Sequence, residues 1–274
     1  MLDAFSSPRN RFVKLRERFQ LRGVDGCLYL LPQTGILLTK LSIHHRTTYQ
    51  YHGSVKFGPH RLMLRPRESR NLRLLEHDLV CTPSASVTWA QDVFGNTVAT
   101  AVFSEESDTL VFDSFGELTL DNERWPVFDI AASAASYPFL LTEDDMTDLG
   151  ALRLQSYLDS AGSLEKWAQG FVAGNPTDTL CLLKDLCEGV AARVAYEMRE
   201  EENTQTPEQT LARNRGSCRD FAALFVDAVR SLGFGARIVS GYLYDPDHQA
   251  NGSAGYGSTH AWAEVYVPGA GWIT

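Results

Sequence analysis

Cys218 lies in the run Asn214-Arg215-Gly216-Ser217-Cys218-Arg219-Asp220-Phe221, and His260 in the later run Thr259-His260-Ala261-Trp262-Ala263-Glu264-Val265. The cysteine falls where a glycine-containing turn meets a helix-like stretch. Phe221, Leu224 or Phe225, Ala228 and Leu232 recur there at helical spacing. The histidine opens an alternating run of strand type. A thiol nucleophile and an imidazole base on separate elements have the layout of covalent acyl chemistry. A helix N-terminus favours a thiolate through its unpaired N–H groups and its dipole, and the same N–H groups suit an oxyanion. Ser217, Arg219 and Asp220 flank the thiol as candidate oxyanion or site-support residues, and Trp262 follows the base as site support or core. Asp220 is expected to orient local backbone or to pair with Arg219 or Arg215. By itself, one cysteine with one histidine does not define a catalytic pair, because the fold must bring them together.

The elements that must position these residues follow from periodicity. Residues 39–122 read as short strands separated by turns. Ile43–Tyr51, Leu62–Leu64, Val87–Trp89, Val98–Phe103 and Thr109–Phe112 are strand-like, and Gly95-Asn96 marks a turn. An antiparallel β-sandwich is expected there. Residues 123–160 read as a linker with a helix over Ala151–Leu158, and a second helix is expected over Leu164–Phe171. Thr177 or Asp178 caps a helix carrying Leu180, Leu183, Leu186 and Val190, and Thr206-Pro207 starts another. Tyr196–Thr206 reads as polar and exposed. Gly233-Phe234-Gly235 ends the Cys218 helix, and Ala236–Tyr244 and His260–Val267 alternate as strands. Between them, Asp245–Thr259 is rich in Gly, Ser and Asn and suits either a substrate lid or a plain connector.

Composition narrows the function classes. A net charge of -9, with no aromatic-and-basic stripe, argues against a nucleic-acid partner. No apolar run approaches a membrane span, so stable membrane insertion is not expected. Residues 1–38 form an N-terminal extension. Within it Arg9, Arg11, Lys14, Arg16, Arg18 and Arg22 surround Phe12, Leu15 and Phe19, which share one face of a helix. Such a segment is expected as a short packed or frayed helix. The 5 cysteines include no CxxC pair and read as reduced thiols in a cytoplasm-like compartment. Adjacent strand residues such as His44 and His45 face opposite sides, and the sequence has no Cys/His ligand spacing and no calcium-loop pattern. No metal and no cofactor is expected. The oligomeric state is left open.

The cysteine run, the strand Arg237-Ile238-Val239-Ser240-Gly241-Tyr242 and the histidine strand, in that order, resemble bacterial transglutaminase-like proteins, often proposed to be cysteine proteases. Thr206-Pro207-Glu208-Gln209-Thr210-Leu211 is similar to the helix before the nucleophile in that family. Thr48-Tyr49-Gln50-Tyr51, Leu64-Arg65-Pro66 and Asp92-Val93-Phe94-Gly95-Asn96 are similar to the β domain that precedes its core. The resemblance implies an α+β protein: an N-terminal antiparallel β-sandwich, then a papain-like core over 161–274 with a Cys-His-Asp triad. Cys218 maps to the nucleophile and His260 to the base. The family's aspartate follows the segment matched by Gly271-Trp272, after which this sequence ends at Thr274. The expectation is therefore a core truncated at its C-terminus, as a piece of an active enzyme or as an impaired short form. The implied activity is cleavage or transfer of an amide acyl group of a peptide or protein through a thioester. The alternatives are a binding or scaffold protein that uses its β-sandwich, and acyl transfer of the arylamine acetyltransferase type.

Overall fold

The structure is a computed structural model that describes residues 3–4, 12–30, 37–122, 128–199, 203–244 and 258–274. It mixes antiparallel sheets with helices and divides into two compact units. One comprises residues 1–125 with 242–259, the other 126–241 with 260–274. Of the loop expected over Asp245–Thr259, residues 245–257 lie outside the described residues, and Ser258 and Thr259 belong to a strand instead.

Among the described residues, the first unit holds eight strands in two four-stranded sheets. They are β1 (Asp3–Ala4), β2 (Phe12–Leu30), β3 (Leu37–Lys56), β4 (His60–Leu62), β5 (Leu72–Thr82), β6 (Ala85–Gln91), β7 (Thr97–Phe103) and β8 (Glu106–Asn122). One sheet has the order β1-β4-β7-β6 and the other β2-β3-β8-β5, with every pairing antiparallel. Side chains of both sheets meet in one apolar cluster. Leu62, Ala99, Ala101 and Phe103 come from the first, and Leu110 and Phe112 from the second. Alternation sets which side chains turn inward, since successive strand residues face opposite sides. The register shift between Leu74 and Glu76 interrupts that pattern in β5, and Leu75 there is left exposed.

The N-terminal segment departs from its helical pattern. Residues 12–30 form β2, running antiparallel along β3 with partners from Phe12↔Tyr51 to Leu30↔Leu37. The long edge of β3 offers a row of backbone donors and acceptors. Pairing with that ladder outweighs the local 3.6-residue spacing.

The second unit surrounds one long helix. Its helices are α1 (Glu143–Leu149), α2 (Ser163–Gln169), α3 (Thr179–Arg193), α4 (Pro207–Arg213) and α5 (Cys218–Ser231). Four two-residue strands, β9 (Ser136–Tyr137), β10 (Thr177–Asp178), β11 (Ala195–Tyr196) and β12 (Arg215–Gly216), form two small ribbons. A three-stranded sheet follows in the order β13 (Gly235–Leu243), β14 (Ser258–Val267) and β15 (Gly271–Ile273). The expected caps hold: the Asp178 side chain accepts from Cys181 N, and Thr206 with Gln209 closes a capping box. The helix expected over Ala151–Leu158 is only a 3-10 turn at Gly150–Arg153. The helix lies earlier, where Thr142 caps Glu143-Asp144-Asp145 and the three acids favour a helix start. Helices α2, α3 and α4 pack on α5. The core gathers Leu182, Leu186, Leu224, Val226, Val229, Phe234, Val265 and Val267. Among the described residues, no helix is long and apolar enough to cross a membrane.

Candidate active site

The route to Cys218 is a tight one. Asn214 ends α4 in the left-handed region, with φ of 55°. β12 then runs parallel to β11, with Arg215 beside Ala195 and Gly216 beside Tyr196. Gly216 is buried, and a Cβ there would stand 2.8 Å from the Cβ of Asp220, so glycine is what lets the helix close onto the turn. Ser217 is the extended N-cap residue and Cys218 the first residue of α5. The cysteine is a free, half-buried thiol. The end of the helix is equally well defined, by Gly233 with φ of 93°.

Asp220 is fully buried in the first turn. Its carboxylate accepts from Ser217 N at 2.8 Å and from Ser217 Oγ at 2.9 Å. Arg199 Nη1 donates to both oxygens, at 2.8 and 2.7 Å, and Gln205 N donates at 2.7 Å. Burial alone would push this carboxyl up. The Arg199 guanidinium and the Gln205 and Ser217 donors overcome it and hold the group at about 2. The structural role expected of Asp220 is present, but its partner is Arg199, not Arg219 or Arg215. Arg215 stands near Glu197 instead, at 3.9 Å. The segment 196–206 is accordingly not uniformly exposed, since Gln205 is buried and Arg199 is turned inward. The sequence marks Asp220 as a carboxylate in the first turn of a helix that packs on several sides, where burial calls for compensating donors, but no spacing points to Arg199.

His260 lies near the start of β14, partly buried. Ala263, Val265 and Val267 join the core cluster that also holds Phe221, Phe225 and Val229 of α5. Strand alternation puts His260, Trp262, Glu264 and Tyr266 on the other face. That face is knitted together by polar contacts. Arg237 Nε donates to Glu264 Oε2 at 2.6 Å, the same guanidinium lies 4.1 Å above the Trp272 ring, and Tyr266 OH donates to Asp145 Oδ1 at 2.7 Å. Glu264 is thereby committed to Arg237. The Trp262 indole lies against Gly241, where a Cβ would stand 2.5 Å from it. Trp262 is outside the apolar core cluster and works as a half-buried cover on the strand pair.

The structure thus brings Ser217, Cys218 and Asp220 together at one turn, with Arg219 on the same helix. Among the described residues, no hydrogen bond joins Cys218 to His260. It also shows two groups that the sequence did not single out. Asp227 of α5 is buried, accepts from Ser156 N at 2.9 Å and Tyr157 N at 3.0 Å, and faces Arg230 at 3.5 Å. Arg199 is the other. Among the described residues no three His, Cys, Asp or Glu side chains gather as metal ligands would. His44 and His45 do face opposite sides. His44 stacks on Phe115 at 4.2 Å, while His45 is buried against Tyr242 OH at 2.9 Å.

Two family descriptions fit this chain. Residues 41–119 match the bacterial transglutaminase-like N-terminal region, and residues 165–274 match the transglutaminase-like superfamily. The chain belongs to the transglutaminase-like superfamily and carries the N-terminal region of its bacterial members. Proteins described as uncharacterised from Mycobacterium tuberculosis and Mycobacterium bovis are each 27% identical over 248 residues. Those matches cover 87% of this chain and 76% of each relative. The solved structure of a proposed cysteine protease from Cytophaga hutchinsonii shares the fold, with a TM-score of 0.65 at 18% identity. That match covers 87% of this chain and 77% of the other.

Proposed function

We propose that the protein is a cysteine-dependent acyl-transfer enzyme whose Cys218 attacks an amide carbonyl of a peptide or protein. The thiolate adds to the carbonyl carbon, the amine leaves with a proton supplied by His260, and a thioester on Cys218 remains. Water then hydrolyses the thioester, or a second amine takes the acyl group. The observation that carries this reading is the free thiol at the first residue of a 14-residue helix, held there by a buried capping carboxylate. Backbone N–H groups of that first turn suit the oxyanion of the tetrahedral intermediate. The family match over 165–274 supports the same reading, in which Cys218 is the nucleophile and His260 the base. Reduced thiols at Cys81, Cys181, Cys187 and Cys218 are consistent with work in a reducing, cytoplasm-like compartment.

The test is the pH dependence of Cys218 alkylation by iodoacetamide, resolved by peptide mass spectrometry, with His260→Ala alongside. A preformed thiolate–imidazolium pair reacts well below the ordinary thiol pKa of about 8.5, and the low-pH reaction disappears in His260→Ala. An ordinary thiol profile, unchanged by that substitution, would sink the proposal. It would favour the second reading, a binding protein that uses the β-sandwich of its first unit.

A further inference from the structure

Asp220 presents an electrostatic problem that Arg199 solves. The carboxylate is fully buried and takes both donors of Ser217, the residue directly before Cys218. A bare negative charge there would lie beside the helix start that carries the thiol. In a water-poor setting its field opposes a second negative charge nearby. Arg199 donates to both oxygens, and its side chain is only 11% exposed. It arrives from the chain just beyond β11, the strand that pairs with β12 before the nucleophile.

We propose that Arg199 is a positioning residue for the nucleophile. Its guanidinium neutralises Asp220, so that Asp220 can anchor the Ser217-Cys218 turn without opposing the Cys218 thiolate. This rests on the reading of Cys218 as the reacting thiol. The surrounding charges do not replace Arg199. Arg213 donates to Gln205 Oε1 at 3.4 Å, Arg215 stands with Glu197 near the surface, and Lys184 and Glu188 pair with each other on the exposed face of α3. Arg219 follows Cys218 on α5. Glu208 lies in the first turn of α4, and Glu165 and Lys166 lie on α2. Among the described residues Tyr157 also senses Asp220, its hydroxyl pushed up by burial, then by Asp227, then by Asp220.

The experiment measures the apparent pKa of Cys218 alkylation by iodoacetamide in the wild type, Arg199→Met, Asp220→Asn and the double variant. Arg199→Met is expected to raise it by about one pH unit, which is about tenfold slower reaction at a pH below both values. Asp220→Asn leaves the cation behind and is expected to lower it by a similar amount. The double variant returns close to wild type. A role in packing alone would move both single variants the same way, so shifts of the same sign, or none, overturn the proposal. If circular dichroism shows that Arg199→Met does not fold, the other two variants decide. Asp220→Asn must then lie about one unit below the double variant, and equal values refute the idea. An ordinary wild-type thiol profile that ignores His260→Ala would count against the enzyme reading, while the opposite-sign shifts would still be readable.

Discussion

Asp220→Asn gives a pH-dependent loss of stability whose size can be worked from the site. The carboxyl lies at about 2 in the folded protein against an ordinary 3.8. A depressed carboxylate stabilises the fold fully above its unfolded pKa and loses that contribution as pH falls through the folded value. The difference corresponds to about 2 kcal/mol at neutral pH. Asparagine cannot supply it, and it also removes the carboxylate to which the nearly buried Arg199 donates twice. Breaking a buried pair from one side costs about 3–5 kcal/mol. At pH 7 the variant should therefore be less stable by about 3–5 kcal/mol. Between pH 4 and 2 the wild type protonates Asp220 and loses about 2 kcal/mol of its advantage, so the gap narrows.

Urea unfolding followed by tryptophan fluorescence reads this, because Trp167, Trp262 and Trp272 all lie in the second unit. Midpoints for both proteins at pH 7, 5, 3.5 and 2.5 give the gap at each value. A gap that stays constant from pH 7 to 2.5 would mean that Asp220 is not held by these donors in its charged form.

Three other expectations concern different parts of the chain. Burial, then nearby positive charge, lowers His45 from 6.5 to about 4, so the stability it contributes is complete above pH 6.5 and lost as pH falls toward 4. The first unit should weaken by about 3 kcal/mol across that window, and His45→Gln should flatten the profile in thermal melts at pH 7 and 4.5. Asp227→Ala leaves the buried Arg230 charge without its carboxylate and the amides of Ser156 and Tyr157 without their acceptor, and should cost about 3–5 kcal/mol by urea titration; a loss below 1 kcal/mol would contradict the clamp. Gly241→Val places side-chain atoms against the Trp262 indole and should cost about 1–3 kcal/mol with a red-shifted emission; unchanged emission would mean that the ring does not cover Gly241.

What the sequence disclosed follows the range of the forces involved. Alternation and local capping are short-range signals, so the strand-rich 39–122 region, the α3 and α4 starts and the Cys218 helix start were legible. The N-terminal strand was not, because residues 12–30 carry a helical spacing and take their conformation from the edge of β3. The turn at 150–153 departs from its helical pattern for a related reason. Apolar residues such as Leu154 and Leu158 look like a helical stripe, but both are exposed. Here backbone donors at Ser156 and Tyr157 are spent on Asp227, about 70 residues away in the chain, rather than on a helix ladder. At the site, the residue types gave Cys218, Ser217 and Asp220. Arg199 escaped because a pairing across 21 residues has no spacing to mark it.

The two buried aspartates of α5 pose the deeper question. The helix is buried on most of its circumference, and Asp220 and Asp227 are 0% and 1% exposed. Apolar residues of similar size would serve stability as well or better, because desolvating a charge offsets most of what its partner returns. What the carboxylates add is registration. Asp220 fixes the helix start to Arg199 and Gln205, and Asp227 fixes its third turn to the 154–157 segment through Ser156, Tyr157 and Arg230. Replacing the second pair together, as Asp227→Leu with Arg230→Met, should recover much of the stability lost in Asp227→Ala. The amides of Ser156 and Tyr157 should nevertheless exchange with solvent faster than in wild type, since their acceptor is gone. Fast exchange in a stable protein would mean that the pair holds α5 in register rather than holding it folded. Slow exchange would mean that apolar packing alone positions the nucleophile helix, and the registration argument would fall.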